Sequence, residues 1–113
     1  MKPGELVLIR FPETDLASGK LRPALVVAIA PGRHPDVLLA LITSRDYQEV
    51  PNFDEVILPS DTDFAATRLK MRSVIRLARL VTVDANVIEG RLGVISAARL
   101  ARIRQHLVEW LKA

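Results

Sequence analysis

The residues of this chain that could do chemistry are few in kind. There is no cysteine, which excludes disulfides and thiolate metal sites. The two histidines, His34 and His106, stand far apart in the sequence, which argues against a zinc site. His34 falls in a turn and His106 on a helix, and both read as surface residues. No serine–histidine–aspartate set, phosphate loop or dinucleotide fingerprint is present. What remains is arginine, hydroxyl and carboxylate. Arg22 stands directly before Pro23, Thr43-Ser44-Arg45 closes an apolar run, and Glu13 and Asp15 lie in a polar stretch. A site that breaks a phosphodiester without metal ligands needs a cation for the charge growing on phosphorus. It also needs donors for the non-bridging oxygens and groups that move two protons. Arginine and threonine at strand ends can supply the first two.

Charge supports a polyanionic or acidic partner. The net charge of +3 conceals a split. Residues 1–67 carry six Lys/Arg against ten Asp/Glu, a net of −4, and residues 68–113 carry ten against three, a net of +7. The basic half is rich in arginine, whose planar fork matches phosphate and carboxylate. The plainer reading of such a run is a solubilising surface.

These residues need a scaffold, and the hydrophobic pattern describes one. The 113 residues fit a single domain, and half of them are hydrophobic. Residues 5–11 (ELVLIRF) read as a strand, followed by a long polar loop over 12–20. Residues 24–30 (ALVVAIA) and 37–43 (VLLALIT) are short apolar runs bounded by turn formers, and read as buried strands. Residues 54–58 (DEVIL) make a fourth strand. Residues 60–67 suit one helical turn capped by Ser60 or Asp61. The alternation over 73–83 slips around Ala78-Arg79, which predicts a bulge or bend. From Ser96, an N-cap, Leu100, Ile103, Leu107 and Leu111 follow at helical spacing, with Arg99, Arg102, His106 and Glu109 as the opposite stripe. Trp110 and Leu111 read as core or dimer packing. The expectation is a mainly β (α+β) domain, a small barrel over about 4–95 closed by a helix over about 96–112. No apolar run approaches the roughly 18 residues of a membrane span. No secretory signal is visible, so a cytoplasmic protein without membrane contact is expected.

In this order, PGELVLIRFPETDLASGKLRPALVV, VLLALITS, RSVIRLARLVTVD and LGVIS before a helix, the chain resembles the MazF/PemK-like toxins over nearly its whole length. The most specific piece is Arg22-Pro-Ala-Leu-Val-Val after a glycine-containing loop. Ile42-Thr43-Ser44 and the segment from Ser73 to Asp84 add to it. The resemblance implies an SH3-like barrel that forms homodimers and cuts single-stranded RNA without metal or other cofactor. It leaves a 2′,3′-cyclic phosphate and a 5′-hydroxyl. It also implies a cognate antitoxin with a flexible, acidic segment.

Residue by residue, Arg22 matches the family's catalytic arginine; otherwise it is a surface residue before a strand-starting proline. Thr43 matches the catalytic threonine; otherwise it is a β-branched strand residue. Arg76 matches an arginine that some members place near the scissile phosphate. The acidic partner that such members carry two residues later is Ala78 here. Asp15 is the candidate general base, although some members carry a glutamate nearer the glycine, where Ala17 and Ser18 stand. RNA contacts are implied for Phe11, Thr14, Ser18, Lys20, Ser44, Arg45, Ser73 and Arg76. Phe11, an aromatic position in the family, is more often a core residue than a stacking platform. A binding module without catalysis, holding nucleic acid or a protein tail, is the alternative reading.

Overall fold

The computed structural model describes residues 1–10, 20–45 and 48–113. Six strands form one sheet: β1 (Glu5–Arg10), β2 (Leu21–Ile29), β3 (Asp36–Thr43), β4 (Glu55–Ile57), β5 (Ser73–Asp84) and β6 (Gly90–Val94). Their order is β4-β5-β3-β2-β1-β6, every neighbour is antiparallel, and the sheet curls as a half-barrel. Among the described residues two α-helices, α1 (Phe64–Thr67) and α2 (Ala97–Lys112), and a 3-10 turn at Ala85–Val87 accompany the sheet. Among the described residues no helix is long and apolar enough to cross a membrane.

Alternation along the strands sorts the core into two faces. Leu6, Leu25, Val27, Ala40, Ile42, Ile75 and Leu77 pack with Ile103 and Leu107 of α2. Val7, Ile9, Ala24, Val26, Val37, Leu39 and Leu41 form a second cluster on the other face. Because both faces are covered, these strands are continuous apolar runs rather than half-polar ones.

Two irregularities aim the strands. In β2 the register with β3 shifts between Val26 and Ala28, and the Val27 carbonyl accepts from Arg104 Nη2 at 3.2 Å instead. In β5, Arg76 pairs with Leu41 but Leu80 pairs with Ala40, so residues 77–79 bulge out of the β3 ladder. This is where the alternation slips in the sequence, and it bends one long strand.

Helix α1 lies on β6. A Cβ on Gly93 would collide with the carbonyls of Ala66 and Thr67, so this approach requires glycine. The α1 turn starts later than its sequence suggests: its N-cap is Asp63, whose side chain makes no cap bond. That carboxylate is used elsewhere. Asp61 accepts from the Leu58 amide at 2.8 Å.

Helix α2 begins where expected, with the Ser96 hydroxyl accepting from Arg99 N–H at 3.2 Å. Its buried stripe differs from the apolar one. Arg99, Ile103 and Leu107 face inward, whereas Leu111 is 80% exposed. Trp110 is half-exposed and meets Phe53 edge-on at 5.4 Å, and His106 Nδ1–H donates to the Phe53 carbonyl at 2.7 Å.

Candidate nucleic-acid site

Register brings three of the sequence candidates to one end and one face of the sheet. Arg22 shares its face of β2 with Ala24 and Val26, and Thr43 shares its face of β3 with Leu39 and Leu41. On β5, Arg76 points opposite to Ile75 and Leu77 and pairs with Leu41. The Ala24–Leu41 register, continued two residues, sets Arg22 opposite Thr43. Thr43 pairs with Val74, one step along β5 from the neighbours of Arg76. Arg22, Thr43 and Arg76 therefore occupy three adjacent strands, β2, β3 and β5.

The fold leaves part of their hydrogen-bonding capacity unused. The Nε atoms of Arg22 and Arg76 are both buried and have no hydrogen-bond partner. A buried N–H left unpaired costs about 1–3 kcal/mol, more when charged, so a pair of them on one face is an arrangement that an anion can complete. Among the described residues, the one bond to the Arg76 guanidinium, from Nη1 to Gln48 Oε1, is long at 3.5 Å. The Thr43 hydroxyl oxygen accepts from Arg45 N–H at 3.1 Å. That bond fixes the oxygen and leaves its proton free to donate outward. Ser44 and Arg45 are exposed just beyond, and Lys20 is exposed immediately before β2.

Ser73 stands apart from this group. It is buried, its hydroxyl donates to the Met71 carbonyl at 2.9 Å, and it alternates with Arg76 to face the helix side. Phe11, Thr14, Asp15 and Ser18 lie outside the described residues, as do Glu13 and Ala17.

A charge cluster centred on Arg99 lies elsewhere and is structural. Arg99, read in the sequence as part of the polar stripe, is 5% exposed. Its Nε and Nη2 bond both oxygens of Asp63 at 2.9 Å, and Nη2 also reaches Asp61 at 2.8 Å. Nη1 donates to Glu55 at 3.1 Å and to the Val56 carbonyl at 2.8 Å. Asp63 accepts in addition from Ser96 N–H at 2.9 Å, and Glu55 accepts from Arg102 at 2.7 Å. Burial opposes the charge on Arg99, but its bonds to Asp63 and Asp61 outweigh it and hold the guanidinium above its usual range. The Arg99 bond chiefly holds Asp63 down at about 2, and the Leu58 amide, then Arg99, lowers Asp61. No apolar pattern reveals this residue, because its partners lie 36 to 44 positions upstream. The arginine-rich half of the chain thus spends part of its charge on docking α2.

Gln48 was not singled out by sequence, and only its place beside Arg76 marks it.

Comparison with known proteins agrees with this fold. The fold is similar to a Mycobacterium tuberculosis toxin, MazF-mt6, with a TM-score of 0.67 at 16% identity over 98% of this chain and 97% of that one. It is similar also to an endoribonuclease from a mycobacterial species solved in complex with its cognate antitoxin. There the TM-score is 0.66 at 18% identity, over 99% of this chain and 95% of the other. No curated protein matches the chain in sequence. The family model that describes the PemK-like, MazF-like toxins of type II toxin–antitoxin systems matches residues 2–111. With nearly its whole length matched, the chain belongs to that toxin family, for which endoribonuclease activity is known.

Proposed function

We propose that this protein is the toxin of a type II toxin–antitoxin system and cleaves single-stranded RNA by internal transesterification without metal. The observation that carries this is the pair of buried, unpartnered Nε atoms of Arg22 and Arg76, facing the same way as the Thr43 hydroxyl. The ribose 2′-oxygen attacks the adjacent phosphorus, the P–O5′ bond breaks, and the products are a 2′,3′-cyclic phosphate and a 5′-hydroxyl. Charge grows on the non-bridging oxygens as the phosphorane forms. Arg22 neutralises it with a forked pair of donors, Arg76 adds a second cation, and Thr43 donates to the remaining oxygen. Two protons move: one leaves the 2′-hydroxyl for a base, and one reaches the departing 5′-oxygen. Asp15 is our candidate for the base, and Arg22 for the donor. Lys20, Ser44 and Arg45 then hold the flanking phosphates.

We place the protein in the cytoplasm as a homodimer. Its basic surface is silenced by a flexible acidic segment of the antitoxin, which competes for the same guanidinium groups. A substrate carrying a single 2′-deoxyribose at the cleavage position tests the chemistry. That substrate should bind and stay intact, because the attacking oxygen is missing. Cleavage of that substrate would overturn the transesterification. Equal binding of both strands with neither cut would make the protein a binding module instead.

A further inference from the structure

Asp54 was read in the sequence only as the start of a strand, yet it is a buried carboxylate with two directed bonds. It is 7% exposed and immediately precedes β4. Its Oδ1 accepts from Leu77 N–H at 2.9 Å, and its Oδ2 accepts from Val50 N–H at 2.8 Å. The place of Leu77 gives this meaning. On one side, β5 leaves the β3 register just after Arg76, so Leu77 has no β3 partner. On the other side, β4 ends its pairing with Glu55 opposite Ile75. The Leu77 amide would be an orphan donor beside a fully buried side chain. Asp54 takes it in place of the missing ladder bond.

The second oxygen reaches the other flank of Arg76. Val50 belongs to the segment that carries Gln48, against Arg76 Nη1, and Glu49, paired with Arg72 at 2.9 Å. One carboxylate thus pins the strand that presents Arg76 and the segment that lies over it. We propose that Asp54 is a positioning residue that fixes the Arg76 guanidinium toward the phosphate site. The inference rests on the assignment of Arg76 to the RNA site. Both groups facing Asp54 are N–H donors, so only an acceptor-only side chain satisfies them. Asparagine has nearly the same shape but offers one acceptor and one NH2, which turns a donor against a donor.

The test compares wild type, Asp54→Asn, Arg76→Ala and the double variant, using metal-free cleavage of single-stranded RNA and the Arg Nε–Hε NMR resonances. The Arg76 resonance is assigned by its loss in Arg76→Ala. Asp54→Asn is expected to lower kcat by about 10- to 100-fold, the usual effect of a misplaced cation, with KM within about twofold. It should also shift or broaden the Arg76 resonance, and the double variant should be no slower than Arg76→Ala. Wild-type kcat with an unmoved resonance would overturn the proposal, as would single effects that multiply in the double variant. If wild type cuts no RNA, the proposed activity fails, and the resonance in Asp54→Asn still decides this inference alone: moved supports it, unmoved overturns it. If Asp54→Asn does not fold, Asp54→Ser, which keeps a hydroxyl acceptor for one amide, is read the same way.

Discussion

Replacing Arg99 with methionine should unfold the protein more easily than almost any surface change, and the size of the effect follows from the partners it strands. The guanidinium makes five hydrogen bonds, four of them to the carboxylates of Asp63, Asp61 and Glu55. Methionine keeps most of the stem and removes the charge. The side chains of Asp63 and Glu55, only 8% and 10% exposed, would then remain buried without it. Removing one partner of a buried ion pair costs about 3–5 kcal/mol, because a charge is left uncompensated. Two bonds soften the loss here. Glu55 retains Arg102, and Asp63 retains the Ser96 amide. The lower end, about 3 kcal/mol, is therefore expected. For a domain of this size that is a fall in Tm of roughly 12 °C or more. Urea unfolding followed by fluorescence of the single tryptophan, Trp110, which rests edge-on against Phe53, measures it directly. Adding Asp63→Asn to Arg99→Met should recover part of the loss, since the stranded charge is then gone. A stability for Arg99→Met within about 0.5 kcal/mol of wild type, the range of an ordinary surface change, would refute the reasoning.

The same cluster predicts acid sensitivity. The folded-state value of Asp63, about 2, lies below its ordinary 3.8. Its contribution, about 2 kcal/mol, is complete above pH 4 and is lost as pH falls toward 2, with Asp61 and Glu5 shifted in the same direction. Urea midpoints measured from pH 5 to pH 2 should fall steeply in wild type and less so in Asp63→Asn; parallel curves would argue against the assignment. Gly93→Ala should destabilise by about 1–3 kcal/mol, because the added Cβ meets backbone carbonyls of α1 that must move as a unit. Thermal unfolding reads this, and an unchanged Tm would show that α1 yields freely.

The strands and α2 were legible because burial leaves a periodic trace. Apolar runs such as ALVVAIA and VLLALIT carry it, and Ser96 marks the helix start. The β5 bulge was legible too, since three extra residues disturb the alternation. Strand β6, GRLGV, was not: its glycines leave little pattern, and one is there to let α1 approach. Arg99 escaped for a different reason. A buried arginine looks like a surface arginine until its distant carboxylates are known. Arg22 and Thr43 were singled out by their match to the toxin family's motifs, in Arg-Pro-Ala-Leu-Val-Val and Ile-Thr-Ser. Their common face with Arg76 depends on register, which only the fold supplies. Asp54 was hidden inside a strand-like run, because its role answers a bulge that lies 23 residues downstream.

The central claim is that Arg22 completes a metal-free RNA-cleaving site. Its most direct test is incubation of wild type and Arg22→Ala with mixed-sequence single-stranded RNA in EDTA, reading the chemistry of the fragment ends. Wild type should give discrete fragments with 2′,3′-cyclic phosphate and 5′-hydroxyl ends. Arg22→Ala should lose at least about 100-fold of that cleavage, with an unchanged Tm. Equal cleavage by the two proteins, or fragments ending in 5′-phosphate, would contradict the claim.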